Sequence, residues 1–128
     1  MKANEIQIGD WLYYKGPFNA FPFKVESITK KKVGYHAEPN EHRMHYLRLS
    51  ECKPIPLVPD ILEKNGIKAD DIPCTFYGYN DYYFEITIED DEICQSVNYA
   101  EYTIFKFEYV HQLQHALRLY GVNKEIEL

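Results

Sequence analysis

Apolar and polar residues alternate along most of this chain. The clearest case is residues 82–89, where Tyr82, Phe84, Ile86 and Ile88 share one face. A period of two is typical of a half-buried strand. Shorter segments of the same kind predict strands at residues 11–14, 23–28, 33–37, 46–49, 76–79, 93–99 and 102–108. In the first half they recur about every ten residues with turn residues between them, which predicts a small barrel or curled meander.

Two segments have the spacing of helices. Residues 59–65 begin with a proline and are followed by Gly66, which predicts a two-turn helix. In residues 109–121, Val110, Leu113, Leu117 and Tyr120 form one apolar stripe, and Gly121 fits the end of the helix. Residues 15–22 predict a loop, 53–57 an extended connector that is not a central strand, and 122–128 a short edge strand.

These elements predict three segments along the chain. Residues 1–54 form a β-rich lobe, residues 55–74 a proline-rich connector with a short helix, and residues 75–128 an antiparallel sheet with a C-terminal helix. The three segments either stay separate or fuse into one domain. In both cases we expect an α+β fold with an antiparallel sheet packed by the C-terminal helix.

The charges are distributed unevenly between the two halves. The net charge of −6 is poor for a protein that binds a phosphate backbone. Residues 1–54 nevertheless carry +3, and residues 55–128 carry −9. Such a bipolar chain either exposes two solvated surfaces of opposite sign or uses them for association. Without a signal peptide or an apolar run of roughly 20 residues, we expect a soluble, cytoplasmic protein that does not enter membranes.

The groups of cysteine and histidine residues give only weak evidence for a reactive or metal-binding site. Cys52, Cys74 and Cys94 are odd in number and form no C-x-x-C pair, so we expect free thiols. His111, His115 and Arg118 share one helix face, where the arginine would repel a cation, and we expect a solvated polar patch that a partner's acid could contact. His36, His42 and His45 lie in one loop region without a rigid frame. We therefore predict no metal, no cofactor, no catalytic residue and no enzyme.

Aromatic residues are the unusual feature of the composition, at 16%. In the first lobe, Phe18 and Phe21 lie beside Pro17 and Pro22. Aromatic grooves bind proline-rich or extended segments, but rings also fill small barrels, and both interpretations stay open for this loop. The residues that could form a partner-binding surface are Trp11, Tyr13, Phe18, Phe21, Tyr35 and Tyr46.

Three blocks of the chain resemble a family of short proteins from Bacteroides-like gut bacteria and their mobile elements. The blocks are residues 1–12, the segment Pro54–Leu57 with Ile61–Gly66, and residues 106–121. The resemblance implies no activity, cofactor or catalytic residue. Through its Ile8-Gly9-Asp10-Trp11 entry and short strands, the first lobe is also similar to an SH3-like or Tudor-like barrel, a likeness that does not fix function.

The hypothesis from sequence is a non-catalytic accessory or adaptor module. It binds a protein partner, or a second copy of itself, through an aromatic β surface. The alternative is a weak nucleic-acid-binding module of a phage or mobile element. That module would use Lys24, Lys30–Lys32, Arg43 and Arg48.

Overall fold

The structure is a computed structural model that describes residues 1–78, 83–97 and 104–128. The chain divides into two compact units, Met1–Ile55 and Pro56–Leu128. Among the described residues, both units are built mostly of small antiparallel sheets, and the second carries a C-terminal helix, so the predicted α+β class is confirmed. No helix in these ranges is long and apolar enough to cross a membrane.

The first unit contains two three-stranded sheets. One has the order β2-β1-β6, and the other has the order β3-β4-β5. The strands are β1 Trp11–Lys15, β2 Ala20–Lys24, β3 Ser27–Ile28, β4 Lys32–Tyr35, β5 His45–Arg48 and β6 Cys52–Pro54. Within residues 1–55, all of which are described, these strands do not form a closed barrel.

Two sequence predictions for this unit need correction. The predicted loop 15–22 includes the start of β2, because Ala20–Lys24 pairs along its whole length with β1. The predicted connector 53–57 begins inside β6, which ends at Pro54 and pairs with β1, whereas the prediction that this segment is not a central strand is confirmed. Both strands lie at the edges of their sheet and pair with β1 alone. A proline is tolerated in such a strand, because no second strand needs a hydrogen bond from its nitrogen.

Alternation along β1 sorts its side chains between two faces. Leu12 and its cross-strand partner Phe23 are buried in the core of the unit, with Val25, Val33 and Cys52. Tyr13 lies on the opposite face, between Pro22 of β2 and Lys53 of β6. The core of the unit therefore lies under one face of the sheet β2-β1-β6, and the other face carries exposed residues.

A buried carboxylate holds the entry into β1. Asp10 is fully buried, and its Oδ2 accepts a hydrogen bond from the backbone N–H of Gln7 at 2.8 Å. The Val25 N–H donates to the Asp10 carbonyl at 2.9 Å, and the Gly9 N–H donates to the Val25 carbonyl at 2.7 Å. Gly9 has φ 94°, a left-handed conformation that costs glycine little. The Gly9-Asp10 pair thus fixes where Trp11 starts its strand.

The second unit has a four-stranded antiparallel sheet of order β10-β9-β8-β7. Its strands are β7 Cys74–Tyr77, β8 Tyr83–Glu89, β9 Glu92–Val97 and β10 Ile104–Lys106. Asp90 and Asp91 turn β8 into β9 with positive φ angles. The predicted hairpin turn at Asn80-Asp81, and Tyr82 of the predicted strand face, lie outside the described residues.

The described part of this unit has two α-helices, α1 Pro59–Lys64 and α2 Val110–Leu119. The apolar stripe of α2 is confirmed, because Val110, Leu113 and Leu117 are buried. The tail is not the predicted edge strand, since residues 122–128 form no strand. Instead Ile126 is buried, and the Asn65 side chain exchanges two hydrogen bonds with the backbone of Glu127 at 2.7 and 2.8 Å.

Candidate functional site

A cluster of aromatic rings, tilted against one another, lies at one edge of the core in the first unit. The ring centroid of Phe21 is 5.3 Å from that of Tyr14 and 5.5 Å from that of Tyr35. Phe23 lies 5.4 Å from Tyr35. These spacings are typical of favourable aromatic pairs. The cluster therefore joins β2 and β4 through ring contacts, and we call this side of the unit the aromatic edge.

An open groove of about 380 Å³ runs along this edge. We call it the aromatic groove, lined by Trp11, Phe21, Phe23, Lys24, Tyr35 and His36 together with Pro22 and Ala37. The Lys24 ammonium lies 5.6 Å from the centre of the Trp11 ring, within the range of a cation–π contact. The groove thus combines apolar aromatic walls with a cation beside the indole.

The structure brings together half of the aromatic residues that the sequence suggested. Trp11, Phe21 and Tyr35 line the aromatic groove, and each is half-buried. Phe21 and Phe18, which the sequence could not separate, have different environments. Phe21 packs against the core, whereas Phe18 is 97% exposed in the loop between β1 and β2.

The other suggested residues lie away from the groove. Tyr13 is exposed on the outer face of β1, opposite Pro22 and Lys53. Tyr46 is exposed on β5, opposite Gly34 of β4. Neither residue lines the aromatic groove. The six residues therefore do not form one continuous surface around this groove.

The backbone at the groove is poorly suited to pairing with an added strand. β2 is an edge strand, and an edge strand normally offers N–H and C=O groups to another chain. Pro22 lies in the middle of β2 and has no N–H to donate. A ligand in the groove would therefore be held by side chains rather than by a β ladder.

Two histidines near the aromatic edge are each paired with a glutamate. His36 Nδ1 contacts the Glu26 carboxylate, and His45 Nε2 lies 2.8 Å from Glu41 Oε1. The hydrogen bond to His45 lowers the pKa of Glu41. Burial raises the pKa of the Tyr35 hydroxyl, and the Glu41 charge adds to this effect. Tyr35 therefore stays a neutral hydroxyl at the edge of the groove near neutral pH.

The predicted solvated patch on α2 was wrong at His111. This side chain is only 8% exposed, and its ring is stacked 5.9 Å from the Tyr109 ring. His115 is half-buried with its ring 5.3 Å from His111, and only Arg118 is exposed. His111 lies in the first turn of α2, where its ring is in contact with those of Tyr109 and His115.

The three cysteines are free thiols, as the sequence predicted. Cys52 and Cys94 are buried, and Cys74 is half-buried. Burial raises the pKa of Cys52 to about 11, with a further contribution from the Glu51 charge. In the described part of the chain, no three side chains among His, Cys, Asp and Glu are grouped closely enough to hold a metal ion.

Sequence reasoning missed the polar members of the groove. Lys24 was considered only as a nucleic-acid contact, and His36 only as one of three loop histidines. The sequence does contain a signal for Lys24: strand alternation places it on the same face as Pro22, which also lines the groove. Its pairing with Trp11 depends on the register of β1 with β2, which became visible only in the structure.

Comparisons of the whole chain with protein-family models, with curated proteins and with solved structures gave no match.

Proposed function

We propose that the first unit is a non-catalytic protein-binding module. Its ligand is an extended, proline-containing segment of another protein, held in the aromatic groove. The observation that supports this most strongly is the convergence of Trp11, Phe21 and Tyr35 on one open groove. Aromatic-lined grooves bind polyproline II segments, because such segments are extended in advance and lose little entropy on binding.

The backbone at the groove favours this ligand over an added β-strand. Pro22 removes a donor from the middle of edge strand β2, so strand addition lacks a hydrogen bond there. A polyproline II ligand needs few backbone partners and makes its contacts through rings. The groove offers those rings without requiring a ladder.

Charge favours a ligand that also carries carboxylates. Lys24 lines the groove beside Trp11 and gives it a positive charge that a ligand carboxylate can approach. Residues 55–128 carry −9, which opposes the long polyanionic backbone of a nucleic acid more than it opposes a short acidic peptide. We therefore favour a protein ligand over a nucleic acid at this site.

The likeness of the first unit to an SH3-like or Tudor-like barrel is part of the same proposal. Its support is the short antiparallel strands, the tight Gly9-Asp10 entry and an open groove lined by aromatic rings. Such likeness concerns architecture, and the function is argued from the groove itself.

The single tryptophan of the chain provides a direct test, because Trp11 lines the groove. Decaproline, and a variant in which two prolines are replaced by glutamate, should each change Trp11 fluorescence saturably. The acidic peptide should bind more tightly at low salt, since Lys24 attracts its carboxylates. Absence of a saturable change with both peptides would contradict the proposal.

Alanine variants inside and outside the aromatic groove test where the peptide binds. Binding of fluorescein-labelled acidic peptide is measured by anisotropy, which does not need the tryptophan. Trp11→Ala should weaken binding by roughly 30-fold, since truncating an aromatic anchor costs about 2 kcal/mol or more. Phe18→Ala and Tyr13→Ala remove exposed rings outside the groove and should leave affinity unchanged. Loss of binding in Phe18→Ala with retention in Trp11→Ala would assign the ligand to the loop instead.

A further inference from the structure

A second groove in the first unit concentrates positive charge. It has a volume of about 760 Å³ and is lined by residues from three separate segments of the chain. We call it the cationic groove. Its charged members are Lys2, Lys30, Lys31, Lys32 and Arg48. These are five of the nine Lys and Arg residues of the unit, so its positive charge is concentrated here.

The backbone fixes these cations close together. Lys30 and Lys31 form the turn from β3 to β4, where Thr29 and Lys32 are linked by a backbone hydrogen bond of 2.8 Å. The Leu49 N–H donates to the Lys31 carbonyl at 2.9 Å, which ties this turn to the end of β5. The basic turn and Arg48 are therefore held on neighbouring pieces of backbone.

Two of the cations oppose each other directly. Lys32 of β4 and Arg48 of β5 are cross-strand partners, and both are exposed. Like charges at directly opposed positions destabilise a sheet. An anion between them would remove this cost. In the described part of the chain no carboxylate lines this groove or forms an ion pair with its cations.

The remaining lining residues indicate the kind of anion. Asn4 and Ser50 offer neutral hydrogen-bonding groups, and Met1, Ala3 and Leu49 offer apolar contact. Among the described residues, no aromatic ring lines the groove, whereas proteins that bind single-stranded nucleic acid stack bases on such rings. The volume lies within the range of small-molecule sites. These features favour a compact ligand over a nucleic-acid strand.

We propose that the cationic groove binds a compact ligand bearing adjacent phosphate groups. Arg48 would contact one phosphate through its planar guanidinium, and the turn lysines would neutralise the remaining charge. Charge at this density suits several phosphates better than one carboxylate. The proposal does not depend on the protein-binding function of the aromatic groove, which has different lining residues.

The test is calorimetric titration of the full chain with sodium triphosphate at 50 mM salt. We expect one triphosphate per chain, with affinity falling as salt is raised to 300 mM because screening weakens the attraction. Arg48→Ala and Lys31→Glu should each weaken binding by roughly tenfold, since a hydrogen bond to a charged group is worth about that factor. Lys68→Glu makes the same charge change outside the groove and should bind as the original chain does.

Three outcomes would overturn the proposal. The first is no heat of binding at 50 mM salt, and the second is that Arg48→Ala and Lys31→Glu both bind triphosphate as tightly as the original chain does. The third is tight binding of oligothymidine without binding of triphosphate, which would assign the groove to a nucleic-acid strand. Circular dichroism of each variant establishes that it is folded, and acidic-peptide binding to Lys31→Glu reports on the aromatic groove independently.

Discussion

At the scale of single residues, burial decides roles that residue type alone leaves open. Asp10 is a charged residue in a turn, yet it is fully buried and holds the backbone at the start of β1. Phe18 and Phe21 are the same residue three positions apart, and only Phe21 packs on the core. A sequence specifies which side chains are present, whereas their exposure depends on which strand covers them.

Cys52 gives a prediction about stability at high pH. Burial raises its pKa from 9.0 to about 11, and burial also raises the pKa of Tyr14 and Tyr35. The unfolded chain then releases these protons at lower pH than the folded one. The contribution of these three protonated groups to the free energy of unfolding is fully present below about pH 9, and it is lost as the pH rises toward 11.

The measurement is chemical unfolding of the first unit, followed by Trp11 fluorescence at pH 8 and pH 10.5. The free energy of unfolding should fall between these values, and it should fall less in Cys52→Ala, which removes one of the groups. An unfolding free energy that rises over this range, or an identical fall in Cys52→Ala, would contradict the assignment to Cys52.

At the scale of elements, the pairing of β4 with β5 carries a cost that can be removed. Lys32→Glu would place a carboxylate directly opposite Arg48. Repulsion becomes attraction, so the free energy of unfolding should rise by about 0.5–1 kcal/mol at low salt. The same variant should lose triphosphate binding.

Lys15→Glu is the matched control for this variant, because Lys15 lies opposite the uncharged Ala20. Thermal unfolding monitored by Trp11 fluorescence compares the two at 20 mM and 500 mM salt. The gain in Lys32→Glu should vanish at high salt, since the charges are exposed and become screened. Equal effects of both substitutions would show that the cross-strand pair is not responsible.

Helix α2 of the second unit gives the clearest test of packing. Leu113 is fully buried on its apolar stripe, whereas Leu119 is 81% exposed. Leu113→Ala should lower the free energy of unfolding by about 2–5 kcal/mol, because it removes buried methyl groups and leaves a cavity. Leu119→Ala should change it by less than about 0.5 kcal/mol. Circular dichroism at 222 nm during denaturation distinguishes the two, and similar losses would contradict the observed burial.

At the scale of the whole molecule, the predictable features were those with a local signal. The period of α2 and the alternation of the strands follow from neighbouring residues, so the α+β class was accessible from sequence. The edge positions of β2 and β6 could not be predicted, because a proline indicates a break in a strand unless the neighbouring strands are known. The cationic groove was also inaccessible, since Lys2 and Arg48 meet the basic turn only after the chain has folded.

The two proposals assign different ligands to the two grooves of the first unit. One offers aromatic walls and a single lysine, and the other offers five cations without an aromatic ring among its described lining residues. A peptide and a polyphosphate should therefore bind independently to the unit. Substitutions in one groove should leave affinity for the ligand of the other unchanged.

The most direct measurement is a ¹H–¹⁵N correlation spectrum of the labelled protein, titrated with the acidic proline-rich peptide. Saturable shifts should be largest at the Trp11 indole N–H and at the backbone amides of Phe21, Phe23 and Tyr35. The amides of Phe18 and of α2 should stay unmoved. Shifts confined to Phe18, or spread over α2 with Trp11 unmoved, would contradict the assignment of the aromatic groove as the binding site.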